Sequence, residues 1–91
     1  MKEINIEKIL KATASRRRLA IFNCLQGKKE LSVSTIAKQI KLSFRSTSKH
    51  LSILYAADLL EKEQRSVLMF YKLSTKGQKL FSMISDIDSI V

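Results

Sequence analysis

Eight consecutive residues, Ser43-Phe44-Arg45-Ser46-Thr47-Ser48-Lys49-His50, gather polar side chains whose spacing suits hydrogen bonding to a large polar partner. Arg45 carries the paired donors that match the O6 and N7 acceptors on the edge of guanine. Ser46 and Ser48 hold hydroxyls able to take either role in a hydrogen bond. Lys49, about one helical turn beyond Arg45, and His50 reach bases or phosphates. His50 also stands beside an apolar stripe, where a packing role is an equal reading. Ser43 heads the run as a helix cap, so the amide N–H groups behind it point the positive helix end at any nearby phosphate. Phe44 either touches a thymine methyl or packs into the preceding turn. This is recognition chemistry rather than bond-making chemistry. One His, one Cys, no carboxylate pair on a shared face and no phosphate-cradling glycine loop leave no catalytic constellation. The chain is expected not to be an enzyme. Cys24 sits in an apolar helical pattern and reads as a small core residue.

A second set of cations lies elsewhere. Arg65 marks an expected hairpin tip, Gln64-Arg65-Ser66, with Lys62 and Lys72 on the flanking strands; together they suit a phosphate backbone or a minor groove. Arg16, Arg17 and Arg18 open a helix, where positive charge opposes the helix dipole. Arg18 is expected to fold back onto a carboxylate, leaving Arg16 and Arg17 for phosphates. Seventeen Lys and Arg against eight Asp and Glu give a net charge of +9 and a pI near 10.0. Such an excess on a small surface favours a polyanionic partner, of which duplex DNA is the commonest.

The elements that must position these side chains follow from periodicity. Ile6, Ile9, Leu10 and Thr13 share one stripe and predict a helix over about 3–13. Ser15 caps a second helix to about Gln26, ended by Gly27. Ser32 caps a short third helix, in which Val33, Ile36, Ala37 and Ile40 recur at helical spacing. Lys41 and Leu42 form a tight turn, and Ser43 caps a fourth helix to about Ala57. Two capped helices joined by about three residues read as a helix-turn-helix. The period then changes to that of strands over 59–64 and 67–73, with Met69, Tyr71 and Leu73 on one face. A final helix over about 76–90, capped by Ser74 or Thr75, carries Leu80, Phe81, Met83, Ile84 and Ile87. The expected fold is mainly α with a small β-hairpin: a winged helix-turn-helix with an additional helix at each end, in one domain over 1–91.

In this order the sequence resembles the arsenic-repressor-like (ArsR-type) family of winged helix-turn-helix transcription factors. Leu10-Lys11-Ala12 with Arg18-Leu19-Ala20-Ile21-Phe22 resembles the family's opening segment, and Glu30-Leu31-Ser32-Val33-Ser34 the segment that follows it. Leu42-Ser43 with Ser48-Lys49-His50-Leu51-Ser52-Ile53-Leu54 resembles its recognition helix. Phe70-Tyr71-Lys72-Leu73 resembles the close of its wing. The resemblance implies a homodimer joined through the terminal helices on a two-fold symmetric operator, usually as a repressor. The residues point the same way: a three-helix core and hairpin cannot bury Ile4, Ile6, Ile9 and Leu10 together with Phe81, Ile84, Ile87 and Val91. The spare stripes predict an isologous interface.

The departures carry information too. Ser32 and Ser34 stand where the family's thiolate sensors carry cysteines, and hydroxyls do not replace thiolates for soft metals. The final helix lacks the histidines of the family's other metal site, offering only Asp86 and Asp88. No metal or cofactor is expected. Phe44 replaces a polar residue, Asp58 replaces the glycine that ends the recognition helix, and no glycine marks the wing tip. The apolar runs are too short to span a membrane, the N-terminal stretch lacks a signal-peptide pattern, and a lone cysteine fits a reducing cytoplasm. The expectation is a cytoplasmic, homodimeric regulator of double-stranded DNA, with a recognition helix at about 44–57 in the major groove. Its wing, at about 60–73, lies on the backbone or in the minor groove. A winged-helix protein-interaction module and a non-specific architectural DNA-binding protein are the alternatives.

Overall fold

A computed structural model describes residues 3–90. Helix α1 spans Glu3–Thr13 and α2 spans Arg16–Cys24, followed by a single 3-10 turn at Gln26–Lys28. A two-residue strand β1, Leu31–Ser32, leads into α3, Val33–Ile40, and α4, Phe44–Ala56. Strands β2, Leu60–Arg65, and β3, Leu68–Leu73, form the hairpin, and α5 spans Thr75–Ile90. This is the expected winged helix-turn-helix with a helix added at each end.

Serines begin three of the helices by accepting the backbone N–H three residues on. Ser15 accepts from Arg18 at 3.3 Å, Ser32 from Thr35 at 3.2 Å and Ser43 from Ser46 at 3.1 Å. Each satisfies an amide that the helix itself cannot pair. Ser32 is therefore engaged as a cap at the position where the resembled metal sensors use a thiolate. Ser74 does the same for α5, accepting from Gly77 at 3.0 Å while donating to the Asp58 carbonyl at 2.8 Å.

Helices α3 and α4 end in left-handed residues. Lys41 has φ 57° and Asp58 has φ 63°. Behind them, Leu42 N–H reaches the Ala37 carbonyl at 3.0 Å and Leu59 N–H reaches the Leu54 carbonyl at 3.1 Å. These six-to-one bonds are the Schellman closure, which takes up carbonyls left over at a helix end. The backbone keeps a glycine-like geometry at Asp58 although the side chain is aspartate. Gly27 (φ 73°) holds the same geometry after α2.

The sheet has the order β1-β3-β2 and is antiparallel throughout. Its register runs from Leu60 opposite Leu73 to Arg65 opposite Leu68, so the turn is Ser66-Val67, one residue later than expected, with Ser66 at φ 58°. Strand β1 was not expected. It pairs Leu31 with Tyr71 and Ser32 with Phe70, tying the entrance of α3 to the wing. Two residues are too few to show a strand period.

The core lies between α2, α3, α4 and the inner face of the sheet. Phe22, Ile21, Leu25, Ile36, Leu51, Leu54 and Leu59 are fully buried, closed below by Tyr71 and Leu73. Each such side chain contributes about 1.5–3 kcal/mol of transfer free energy. Cys24 is half-buried against this cluster, and burial pushes its thiol pKa up. Tyr71, Leu73 and half-buried Met69 share one face of β3, as their alternation predicted. No helix among the described residues is long and apolar enough to cross a membrane.

Candidate nucleic-acid interface

Helix α4 is fixed by its inner face, where Thr47, Leu51 and Leu54 are buried. At 100° per residue, Arg45, Lys49 and Ser52 then fall on one outward stripe, and all three are exposed. Neither Arg45 nor Lys49 makes a side-chain hydrogen bond or ion pair among the described residues. Both charges are thus free for an external partner. Phe44, in the first turn, is 58% exposed and lies about 100° round the helix from Arg45, on the flank that carries Ser48. Ser48 and Ser46 are half-buried on the two flanks of the stripe, and Ser43 is exposed at the helix start while its hydroxyl serves the cap.

His50 lies on the flank facing α2. Its Nδ1 accepts from Arg18 Nε at 3.2 Å, while Arg18 Nη1 donates to the carbonyls of Lys11 at 3.0 Å and Ala12 at 3.1 Å. Arg18 therefore folds back, but onto the carbonyl end of α1 and an imidazole rather than the expected carboxylate. The sequence contains no acidic residue between Glu7 and Glu30 to receive it. Guanidinium donation to Nδ1 requires a neutral ring. Burial, followed by the charges of Arg18, Arg17 and Lys49, lowers the His50 pKa accordingly. The remaining ring hydrogen then sits on Nε2.

Arg17 donates from Nη1 to the Ile40 carbonyl at 3.4 Å, which places its charge at the turn between α3 and α4. Arg16 is exposed beside it in sequence. Lys41, exposed and left-handed in that turn, adds a cation that the sequence reading used only as a turn residue. Its position between two helix caps was the available signal.

The wing differs from the expectation of free cations. Arg65 is paired with Glu63 and with Glu30, and its guanidinium lies 4.7 Å from the centre of the Phe70 ring. Lys72 is 3.7 Å from Glu61. Lys62 stands 4.3 Å over the ring of Tyr55 near the end of α4, a cation–π contact joining wing and recognition helix. Glu30 was missed as a site neighbour because its partner Arg65 lies 35 residues away in sequence, and Tyr55 because its partner Lys62, only seven residues on, lies in a different element. The exposed tip residue is Val67, at 89%.

On the opposite side, α1 and α5 leave apolar surface uncovered. Ile6, Leu10, Met83 and Ile87 are all exposed, and Ile9 is half-buried. Ile6, Ile9 and Leu10 line a groove of about 340 Å³ with Leu59, Leu80, Met83 and the stems of Lys76 and Lys79. Phe81 and Ile84 are half-buried and line a second recess of about 250 Å³ against Leu19 and Phe22 of α2. Val91, expected at the dimer interface, lies outside the described residues, as does the side chain of Ile4.

Comparison with known proteins places this geometry. The family model for the helix-turn-helix domain matches residues 11–63. Among solved structures, HlyU from Vibrio cholerae N16961 superimposes with a TM-score of 0.84 at 29% identity, covering 96% of this chain and 97% of that one. NolR from Sinorhizobium fredii gives 0.81 at 29% identity, covering 92% and 84%. The homodimeric winged helix-turn-helix DNA-binding domain Mb0332 from Mycobacterium bovis gives 0.85 at 23% identity, covering 94% and 80%, and bears on the fold alone. Comparison with curated proteins gives no match.

Proposed function

The chain belongs to the helix-turn-helix domain family and has the winged fold of the arsenic-repressor-like regulators, and from that premise we propose that it is a dimeric, sequence-specific repressor acting on double-stranded DNA. The observation that carries this reading is the outer stripe of α4. Arg45 and Lys49 stand exposed and, among the described residues, unpaired on a helix whose other face is locked into the core. A helix held this way enters the major groove with its N-terminal side chains toward base edges. In this reading Arg45 reads a guanine, Ser46 and Ser48 supplement it, and Lys49 with Arg16 and Arg17 neutralises phosphates. His50, fixed by Arg18, offers its Nε2 hydrogen to a backbone oxygen.

The second copy joins through the groove between α1 and α5, where Ile6, Leu10, Met83 and Ile87 would leave water together. An interface related by a two-fold axis uses the same patch twice and sets two α4 helices about 34–36 Å apart, one turn of DNA. The protein-interaction alternative gains little support from the outer stripe of α4, which is basic and polar; the exposed aromatics Phe44 and Tyr55 lie on its flank, Tyr55 beneath Lys62.

Selection from randomised duplexes, with affinities measured at two salt concentrations, tests the proposal. The expected product is an inverted repeat with half-sites one turn apart. Steeply salt-dependent binding with no enriched sequence would instead indicate an architectural coat, and absence of binding would favour a protein-interaction module.

A further inference from the structure

Winged domains are commonly pictured with a basic wing tip laid on the DNA, and Arg65 is the residue that the sequence offers for that role. Its surroundings argue otherwise. Glu63 grips the guanidinium in a fork, Oε2 accepting from Nε at 3.1 Å and Oε1 from Nη2 at 3.2 Å. Nη2 donates again to Glu30 Oε1, and the guanidinium is stacked over the Phe70 ring. Three of its five N–H donors are spent, leaving those on Nη1. Fork geometry of this kind is the strong form of the carboxylate–guanidinium pair.

The local charge balance points the same way. Arg65 with Glu30 and Glu63 sums to one negative charge, offset by nearby Lys62, so a phosphate approaching this cluster meets no net attraction. Lys72 and Glu61 on the same strands cancel each other. The carboxylates hold Arg65 firmly in turn: both Glu63 and Glu30 raise its pKa, and Arg65 lowers that of Glu63.

What the cluster joins is specific. Arg65 is the last residue of β2, next to the Ser66-Val67 turn. Glu30 directly precedes β1, whose Ser32 caps α3. Beyond the two pairs that β1 makes with β3, Gln64 opposite Met69 and Arg65 opposite Leu68 extend outward with no third strand beside them, Met69 alone of these four packing against the core. A two-stranded ribbon is marginal by itself. The Arg65–Glu30 pair adds to that apolar contact a polar tie from the end of β2 to the entrance of the helix-turn-helix.

We propose that Arg65 is a positioning residue, a latch that sets the wing against the helix-turn-helix through Glu30, and that it does not itself contact DNA. The proposal rests on the DNA-binding reading for its second half only. Released from the latch, the wing samples more orientations, and DNA binding must then order it again.

Glu30→Gln, Arg65→Gln and the double variant test this, with a 30-base-pair duplex of random sequence as the probe and amide hydrogen exchange of the free protein as a second readout. Exchange at residues 63–70 is expected to quicken in both single variants. Duplex affinity is expected to fall roughly two- to fivefold in each, no further in the double variant, with the salt dependence unchanged. Tighter binding by Glu30→Gln would overturn the proposal, since it would mean that a released Arg65 reaches phosphate. A salt slope reduced by roughly 0.9 per protomer in Arg65→Gln would overturn it as well. If the wild-type protein fails to bind any duplex, the DNA reading falls. Exchange at the wing then decides the latch separately, and unchanged exchange in Glu30→Gln would refute it.

Discussion

Replacing Arg45 and Lys49 separately by alanine divides the recognition helix into a reader and a phosphate anchor. Both side chains are exposed and have no intramolecular partner among the described residues. Truncation therefore strands nothing inside the protein, and the folding midpoint should move by no more than about 0.5 kcal/mol. Any change in DNA affinity then belongs to the interface. A bidentate arginine–guanine pair discriminates by about 1–3 kcal/mol, and a two-fold site uses it twice, so Arg45→Ala should cost about 2–6 kcal/mol on the selected operator. On a scrambled duplex the loss should be confined to the weaker electrostatic contribution. Lys49→Ala should weaken both duplexes alike and flatten the salt dependence, by about 0.9 in slope per phosphate and about 1.8 per dimer. Fluorescence anisotropy of the selected and scrambled duplexes across a salt series gives all four quantities. Equal losses on both duplexes for Arg45→Ala would refute its assignment as a reader. An unchanged slope for Lys49→Ala would refute the phosphate contact.

Four further outcomes follow from the geometry. A Cβ added at Gly77 would lie 2.1 Å from the Leu59 carbonyl oxygen, so Gly77→Ala must displace α5 and should cost about 1–3 kcal/mol in urea unfolding; an unaltered midpoint would mean that α5 is not seated against Leu59. The Thr47 hydroxyl is buried without a partner, and Thr47→Val should therefore raise stability by about 1 kcal/mol, with a loss instead pointing to a bound water. His50 has its pKa lowered chiefly by burial and then by Arg18, Arg17 and Lys49. The unfolded chain thus takes up the proton first, and the stability present above about pH 6.5 is lost as pH falls through the lower folded value; His50→Gln should flatten that limb, and parallel profiles would count against it. Finally, sedimentation at micromolar concentration should show a wild-type dimer and a Met83→Glu monomer, because the charge would enter the groove between α1 and α5; a wild-type monomer would end the dimer reading.

Helices α2 to α5 were legible in the sequence because each begins at a serine that does a local job. Ser15, Ser32 and Ser43 announce caps three residues ahead of the amides they bind, and periodic apolar residues do the rest. Spacing also separated the inner face of α4 from the stripe bearing Arg45 and Lys49. What sequence could not show were contacts between distant segments. Strand β1 exists because β3 has an open edge beside it, and nothing in Leu31-Ser32 itself demands a strand. Arg18 was expected to find a carboxylate, yet helix-end carbonyls and a neutral imidazole satisfy a guanidinium equally well in number of bonds. Arg65 looked free at a tip, whereas Glu30 lies 35 residues away in sequence and next to it in space. Asp58 and Ser66 each hold a left-handed backbone, so the missing glycines altered the residue but not the turn.

On the DNA-binding reading, the distribution of charge explains why a paired wing and a helix that exposes Arg45 and Lys49 would belong to one binding device. Twelve of the seventeen Lys and Arg, against three of the eight Asp and Glu, occur in residues 1–57; residues 58–91 carry five of each. The whole net charge of +9 therefore resides in the part that contains α2 and the helix-turn-helix. Between Lys8 and Ala57 the one acidic residue is Glu30, and Arg65 occupies it. Without that pairing, Glu30 would stand uncompensated at the entrance of α3, close to the surface offered to phosphates. On the proposed reading the latch would serve the interface in two ways: it would orient the wing, and it would screen the one carboxylate between Lys8 and Ala57. The wing, at +1 over residues 60–73 and neutral once Glu30 is counted, would contribute little to indiscriminate attraction, so most electrostatic affinity would be delivered through the elements that present Arg45. On the proposed reading, coupling the charge to the reader in this way would steer encounter toward the productive face and leave sequence choice to the few side chains on the outer stripe of α4.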